Sequence, residues 1–186
     1  QKLDAPIRRI ALTHAHTDHV GSLDALHELL PDAEVMISAR DARFLQGDMS
    51  LDANEPQVKL RGGYVVCKTN PTRLLNPGDR VGSLEVIASP GHTPVHIAFF
   101  DHRDKTLIAG DAYTTQGGIS TGGTIKLLFP LPAMATWHQG TGIRSAEALI
   151  ALQPERLAVG HGKTLEYPVA AMQQAIDEAK SRLKAS

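Results

Sequence analysis

Residues 13–21 read THAHTDHVG, which puts His14, His16, Asp18 and His19 within six positions, between an apolar run and a helical pattern. Each of these side chains is costly to bury without a partner, and four of them at one chain reversal ask for a cation between them. A metal ion is the first candidate.

On the N-terminal side, Ile7 to Thr13 is apolar and short, as in a buried strand. On the other side Val20, Leu23, Leu26 and Leu30 recur at helical spacing, with Thr17 or Asp18 as caps. The cluster therefore sits in a strand-to-helix loop. Glu34 to Ser38 reads as another strand, Ala39 to Gln46 as a short helix and residues 47–63 as loop. From Arg73 the chain turns to short β segments: Asp79 to Val81, Leu84 to Ala88, Val95 to Phe100 and Thr106 to Ala109. With turns at Asn76-Pro77-Gly78-Asp79 and Asp101 to Asp104, they form a β-meander.

The stretch Tyr113 to Pro132 is rich in Gly and Thr, carries Leu127-Leu128-Phe129, and is too long for a plain connection. Such a loop often overhangs a site. A helix is expected around Ala146 to Leu152 and a strand at Arg156 to Val159. A C-terminal helix should bury the stripe Val169, Met172, Ile176, Ala179 and Leu183. With no repeat and no linker, residues 1–186 read as a single α/β domain with helices layered on sheet.

A net charge of −1 over 186 residues gives no strong general attraction for nucleic acid or an anionic membrane, so function must come from a site. No run approaches the roughly 20 apolar residues of a membrane span, and the opening QKLDAPIRRI has no apolar signal-peptide core. Cys67 stands alone, which excludes an intrachain disulfide and favours a cytoplasmic setting, with a secreted or periplasmic one also compatible. It lies outside every cluster and reads as a small core or surface residue.

Three further ligand candidates stand at strand ends beside glycine: His92 in SPGHTP, Asp111 in IAGD and His161 in AVGHG. Imidazole and carboxylate donors without thiolate suit zinc and also accommodate manganese or iron. Seven donors exceed what one tetrahedral ion uses, so two metals are expected, and a carboxylate such as Asp111 can bridge a pair roughly 3.5–4 Å apart. His27, His96, His102 and His138 read as ordinary hydrogen-bonded histidines, with His96 also a candidate partner for a ligand through its free ring nitrogen. Gly162-Lys163-Thr164 looks like the end of a phosphate-binding loop, but Leu157 stands where that motif needs glycine. The glycines of 117–123 lack the strand-then-helix context of a dinucleotide fingerprint.

His14-Ala-His16-Thr-Asp18-His19 matches the HxHxDH motif of the metallo-β-lactamase-fold hydrolases, and the GHTP, GD and GHG segments follow in that family's order. The resemblance runs from about Ile7 to the C-terminal helix and implies an αββα sandwich. It also implies one metal on His14, His16 and His92, a second on Asp18, His19 and His161, and Asp111 between them. Members usually carry several strands ahead of HxHxDH, whereas thirteen residues precede His14 here, so the first strands of the sandwich are expected to be missing. The segment usually written GHTPGH reads Gly91-His92-Thr93-Pro94-Val95-His96.

By this resemblance the chain is a di-metal hydrolase that uses a bridging hydroxide to cleave an ester, lactone or thioester, with Asp18 and Asp111 as catalytic residues. A retained Asp111 favours the glyoxalase II and lactonase type over the zinc β-lactamases. The expected partner is a small acyl substrate, with a homo-oligomer possible and no nucleic acid or membrane. The rivals are an oxidoreductase like the persulfide dioxygenases, with one iron, and a non-catalytic, metal-stabilised relative. Tyr113, two residues beyond Asp111, is either near an oxyanion or an ordinary loop tyrosine.

Overall fold

The computed structural model describes residues 5–185. Strand β1 (Arg9–Ala11) leads through the histidine loop into two short helices, α1 (Thr17–Val20) and α2 (Leu23–Leu29). Strand β2 (Glu34–Ser38) and helix α3 (Ala39–Leu45) follow, and β3 (Arg73–Leu75) completes a parallel three-stranded sheet in the order β1-β2-β3. The β segment at Arg73 thus joins the first sheet and not the meander.

The meander itself is β4 (Arg80–Val81), β5 (Leu84–Ala88), β6 (Ile97–Asp101) and β7 (Thr106–Ile108), antiparallel throughout. Strand β10 (Arg156–Ala158) adds in parallel to β7, and β11 (Leu165–Glu166) closes the six-stranded sheet. The segment 113–132 holds a small hairpin, β8 (Tyr113–Thr114) with β9 (Ser120–Thr121), and leads into α4 (Leu131–Ala135). Two longer helices, α5 (Gln139–Ala151) and α6 (Val169–Ala185), complete the chain.

The strand period of two sorts the core into layers. In β2, Val35 and Ile37 pack with Val20, Leu23 and Phe44 of the helices, while Met36 turns to the other face. There Met36 and Leu75 meet Val86, Ile97 and Phe99, which stacks the two sheets. Ala98 and Phe100 of β6 point the opposite way, onto Ala146, Leu149, Met172 and Ile176 of α5 and α6. The layers are helix, sheet, sheet, helix, the expected αββα arrangement.

Several boundaries moved for local reasons. The helix expected over 20–30 is broken at Gly21-Ser22, and neither Thr17 nor Asp18 caps it; Asp18 turns its carboxylate toward the histidines instead. Strand β6 starts at Ile97 because the preceding residues form a turn in which the Gly91 N–H donates to the Thr93 carbonyl and the Ser89 N–H to that of His96. Helix α5 begins at Gln139, ahead of the expected 146, since His138 accepts the Thr141 N–H at its start. Gly140 and Gly142 had masked that turn. Along α6, Met172, Ile176 and Ala179 are buried as expected, but Leu183 is exposed.

The glycine at position 142 has a packing reason: a Cβ on Gly91, whose φ is +132°, would overlap the Gly142 backbone. By contrast Gly78, with φ +90° at the turn between β3 and β4, has open space around it. Gly91→Ala should therefore cost clash as well as strain, about 2–3 kcal/mol or more, and lower Tm by about 4–10 °C. Gly78→Ala should cost only about 1 kcal/mol. Thermal unfolding of the two variants checks the order.

Candidate metal centre

The Thr13 carbonyl accepts the Ile97 N–H at 3.0 Å, which joins the end of β1 in one sheet to the start of β6 in the other. That junction brings strand ends to one edge of the sandwich. His14 and His16 follow β1, Asp18 and His19 lie on α1, and His92 sits in the β5–β6 loop. Asp111 occupies the 3-10 turn Gly110–Ala112 after β7, and His161 follows β10. All seven expected site residues converge in two groups: His14, His16 and His92, fully buried, and Asp18, His19, Asp111 and His161, more open.

Hydrogen bonds on the far side of each ring decide which nitrogen faces inward. His16 gives Nε2 to the Arg61 carbonyl at 3.0 Å, which leaves Nδ1 turned toward His92 Nε2, 3.0 Å away. His14 Nδ1 meets Thr13 Oγ1 at 3.1 Å and His92 Nδ1 meets Thr136 Oγ1 at 3.2 Å, so both present Nε2. Asp111 Oδ1 lies 3.3 Å from His19 Nε2, while its Oδ2 lies 3.4 Å from His92 Nε2 and 3.3 Å from His161 Nε2. Asp18 Oδ2 reaches His161 Nε2 at 3.0 Å.

These spacings fit a metal. Two donors on a tetrahedral ion with bonds of about 2.0–2.1 Å lie ~3.3–3.4 Å apart, close to the nitrogen–oxygen distances here. Inside the cluster His14 Nε2, His19 Nε2 and Asp111 Oδ1 are buried without a hydrogen-bond partner, a condition that a cation would relieve. Burial holds the imidazoles of His14 and His92 well below the usual histidine range and lowers His16 too, so their lone pairs stay free. Burial alone would raise the Asp111 carboxyl, but contacts with His161 and His19 and the nearby His92 and His14 together hold it far below the usual range. The same Asp111 contact raises His161.

His96 stands behind Asp111. Its Nε2 accepts the Asp111 N–H at 3.1 Å, so its proton lies on Nδ1, 2.7 Å from Ser89 Oγ. It touches a candidate ligand through the backbone and faces no cation position. Gly160 is required by proximity, since a Cβ there would overlap Asp111 Oδ1 and His19 Cε1. Tyr113 belongs to neither reading: it is a core residue on β8, and its hydroxyl donates to the Ala146 carbonyl at 3.2 Å. His102 pairs with Glu85 at the surface, and Cys67 sits half-buried against α1, with Sγ 3.9 Å from the Val20 carbonyl.

A cavity of about 360 Å³ opens over the two groups. His16, Asp18, His92, Asp111 and His161 form its floor; Phe129, Leu131, Pro132, Met134 and Ala135 rise on one side, with Gly62 and Gly63 also lining it. The stretch 113–132 therefore overhangs the site through its last residues, and α4 extends that wall.

Residues 1–161 match the family described as the metallo-beta-lactamase superfamily. The chain is 51% identical over 180 residues to the uncharacterized protein YobT of Bacillus subtilis strain 168, an alignment covering 96% of this chain and 77% of YobT. It is 30% identical over 174 residues to YflN of the same organism, a probable metallo-hydrolase, covering 84% of this chain and 64% of YflN. Among solved structures, TTHA1623 in a di-iron-bound form superposes with a TM-score of 0.64 at 30% identity, over 90% of this chain and 75% of that one. The chain thus spans about two thirds to three quarters of these relatives' lengths.

One contributor carried no signal in the sequence. Asp41, fully buried on α3, accepts the Thr93 hydroxyl at 2.9 Å and faces the backbone N–H groups of Ala15 and Val95. It thereby touches both histidine-bearing loops. Burial pushes its carboxyl up to about 7, although Thr93, Ala15, Arg40 and Val95 all pull it down. An unfolded chain releases this proton near pH 4 and the folded chain near pH 7, so the group favours the folded state fully below about pH 4 and loses that contribution as pH rises through 7. Asp41→Asn cannot ionise, so the stability of the original chain relative to this variant should fall between pH 4 and 8. Denaturant unfolding across that range with a chelator present checks the sign.

Proposed function

We propose, from the premise that this chain belongs to the metallo-β-lactamase superfamily, that it is a two-metal hydrolase of the glyoxalase II and lactonase type, acting on a carboxylic ester, lactone or thioester. The observation that carries this reading is the position of Asp111 Oδ2, 3.4 Å from a histidine of one group and 3.3 Å from a histidine of the other. One carboxylate is thus shared between the two donor sets, as a bridged pair requires.

In this reading His14, His16 and His92 hold one ion, Asp18, His19 and His161 hold the other, and Asp111 bridges. Zinc, manganese and iron all suit the donor set. When bound, such a pair polarises a carbonyl oxygen and brings the pKa of a water toward ~7. The chain's own residues supply the rest. The neutral imidazoles and Asp111 fix the cation positions, and His96 fixes the Asp111 backbone from behind. Asp18, the most exposed of the seven, lines the cavity, where its free oxygen can orient the attacking water and take its proton.

The comparison with YflN supports hydrolysis, and the di-iron form of TTHA1623 supports two metal positions. Protein purified without added metal should contain about two transition-metal ions per chain by elemental analysis and should hydrolyse small esters, lactones or thioesters. Asp111→Ala should retain at most one ion and lose at least about a hundredfold in kcat/KM. Full activity with two ions in that variant would remove the bridge, and one iron per chain with oxygen consumption would replace the hydrolase with an oxygenase.

A further inference from the structure

The cavity is two-sided in chemistry. Its floor is polar, but the segment 129–135 gives it an apolar wall that the protein leaves partly bare: Leu131 is 63% exposed and Met134 59%. Leu131 and Met134, three apart on α4, share one helix face, and both line the cavity beside Phe129, whose ring centre lies 5.4 Å from that of His161. Exposed apolar side chains gathered at a concave polar site are the usual mark of a ligand surface.

The wall is held in place. At its start the Lys126 ammonium pairs with Glu178 of α6 at 2.6 Å. At its end Thr136 Oγ1 donates to the Pro132 carbonyl at 2.9 Å and accepts from His92 Nδ1 at 3.2 Å, which ties the wall to a proposed ligand. Lys59 and Arg61, just ahead of the lining residue Gly62, line a separate depression with Trp137 and His138. Among the described residues, no lysine or arginine lines the main cavity.

We propose that this site selects substrates with an apolar chain beside the scissile carbonyl, the chain lying on Phe129, Leu131 and Met134. The proposal rests on the hydrolase reading for its chemistry but not for its binding surface. Each methylene that leaves water for such a wall multiplies kcat/KM by about fourfold while it remains in contact.

The test uses the protein as isolated with its metal. Two ester series are compared: acyl chains from acetyl to octanoyl on a common leaving group, and acetates of methyl to octyl alcohols. In at least one series kcat/KM should climb about fourfold per methylene over the first several carbons, and the double variant Leu131→Ser/Met134→Ser should cut that slope to about twofold. Leu29→Ser, at an exposed position on α2, should keep both rate and slope. Flat series, or a slope unchanged in the double variant, overturn the wall while leaving the hydrolase standing. If no acyl compound is turned over, the hydrolase reading fails, and calorimetric binding of octanoate against acetate decides the wall. Octanoate at least tenfold tighter, with the difference lost in the double variant, supports it; equal affinities overturn it.

Discussion

Imidazole and carboxylate groups crowded at one edge of a sandwich cannot all satisfy one another, and that shortage organises everything around them. In the cluster, His14 Nε2, His19 Nε2 and Asp111 Oδ1 end without a hydrogen-bond partner, while neighbouring residues serve several of the remaining polar atoms. Thr13, Arg61 and Thr136 each occupy the outer nitrogen of a histidine, and His96 occupies the Asp111 N–H. Those contacts orient His14, His16 and His92 and leave their inner nitrogens turned into the cluster. A fold stabilised by only 5–15 kcal/mol tolerates such orphans where a ligand's binding energy offsets them.

The supporting backbone follows from the same demand. The seven side chains come from loops at strand ends in both sheets and from α1, so the sheets must meet at an edge, and the Thr13–Ile97 hydrogen bond makes that junction. Close approach then leaves no room beside the carboxylate, and Gly160 supplies the missing Cβ. Asp41 works from beneath, in reach of Ala15 and Thr93, so that the first histidine loop and the His92 loop share one buried anchor. Its high pKa is the consequence of being buried for that geometry.

Much of this was legible in the sequence because it was written locally. His14-x-His16-x-Asp18-His19 needs no tertiary knowledge, and the short, mostly apolar runs at β2 and β6 read as strands, which the fold buries on both faces. What stayed hidden depended on contacts across the fold. The helix expected around Ala146 starts earlier, at Gln139, where Gly142 packs on Gly91 and Gly122, a contact no local pattern announces. The β segment at Arg73 carried nothing to say it would pair with Met36 to Ser38 and not with the meander. Asp41, one aspartate in a short helix, reads as an exposed charge, and only the burial of α3 against both loops gives it a role. The spacing of Leu131 and Met134 was visible, but a cavity is a property of two walls and no single segment encodes it.

The arrangement also separates reaction from selection. The proposed ligands hang from buried strand ends, where a change of side chain would disturb the core as well as the site. The wall over them comes from an exposed segment whose apolar residues contribute little to folding. Yet the two are not independent. His92 Nδ1 donates to Thr136 Oγ1, and that hydroxyl donates to the Pro132 carbonyl, so one hydrogen-bonded line runs from a ring in the floor to the backbone of the wall. Because a hydroxyl has a single proton to give, its donation to Pro132 obliges it to accept from His92, and this fixes the histidine with Nε2 facing inward. The segment that shapes the cavity therefore also holds the His92 imidazole with Nε2 turned into the cluster.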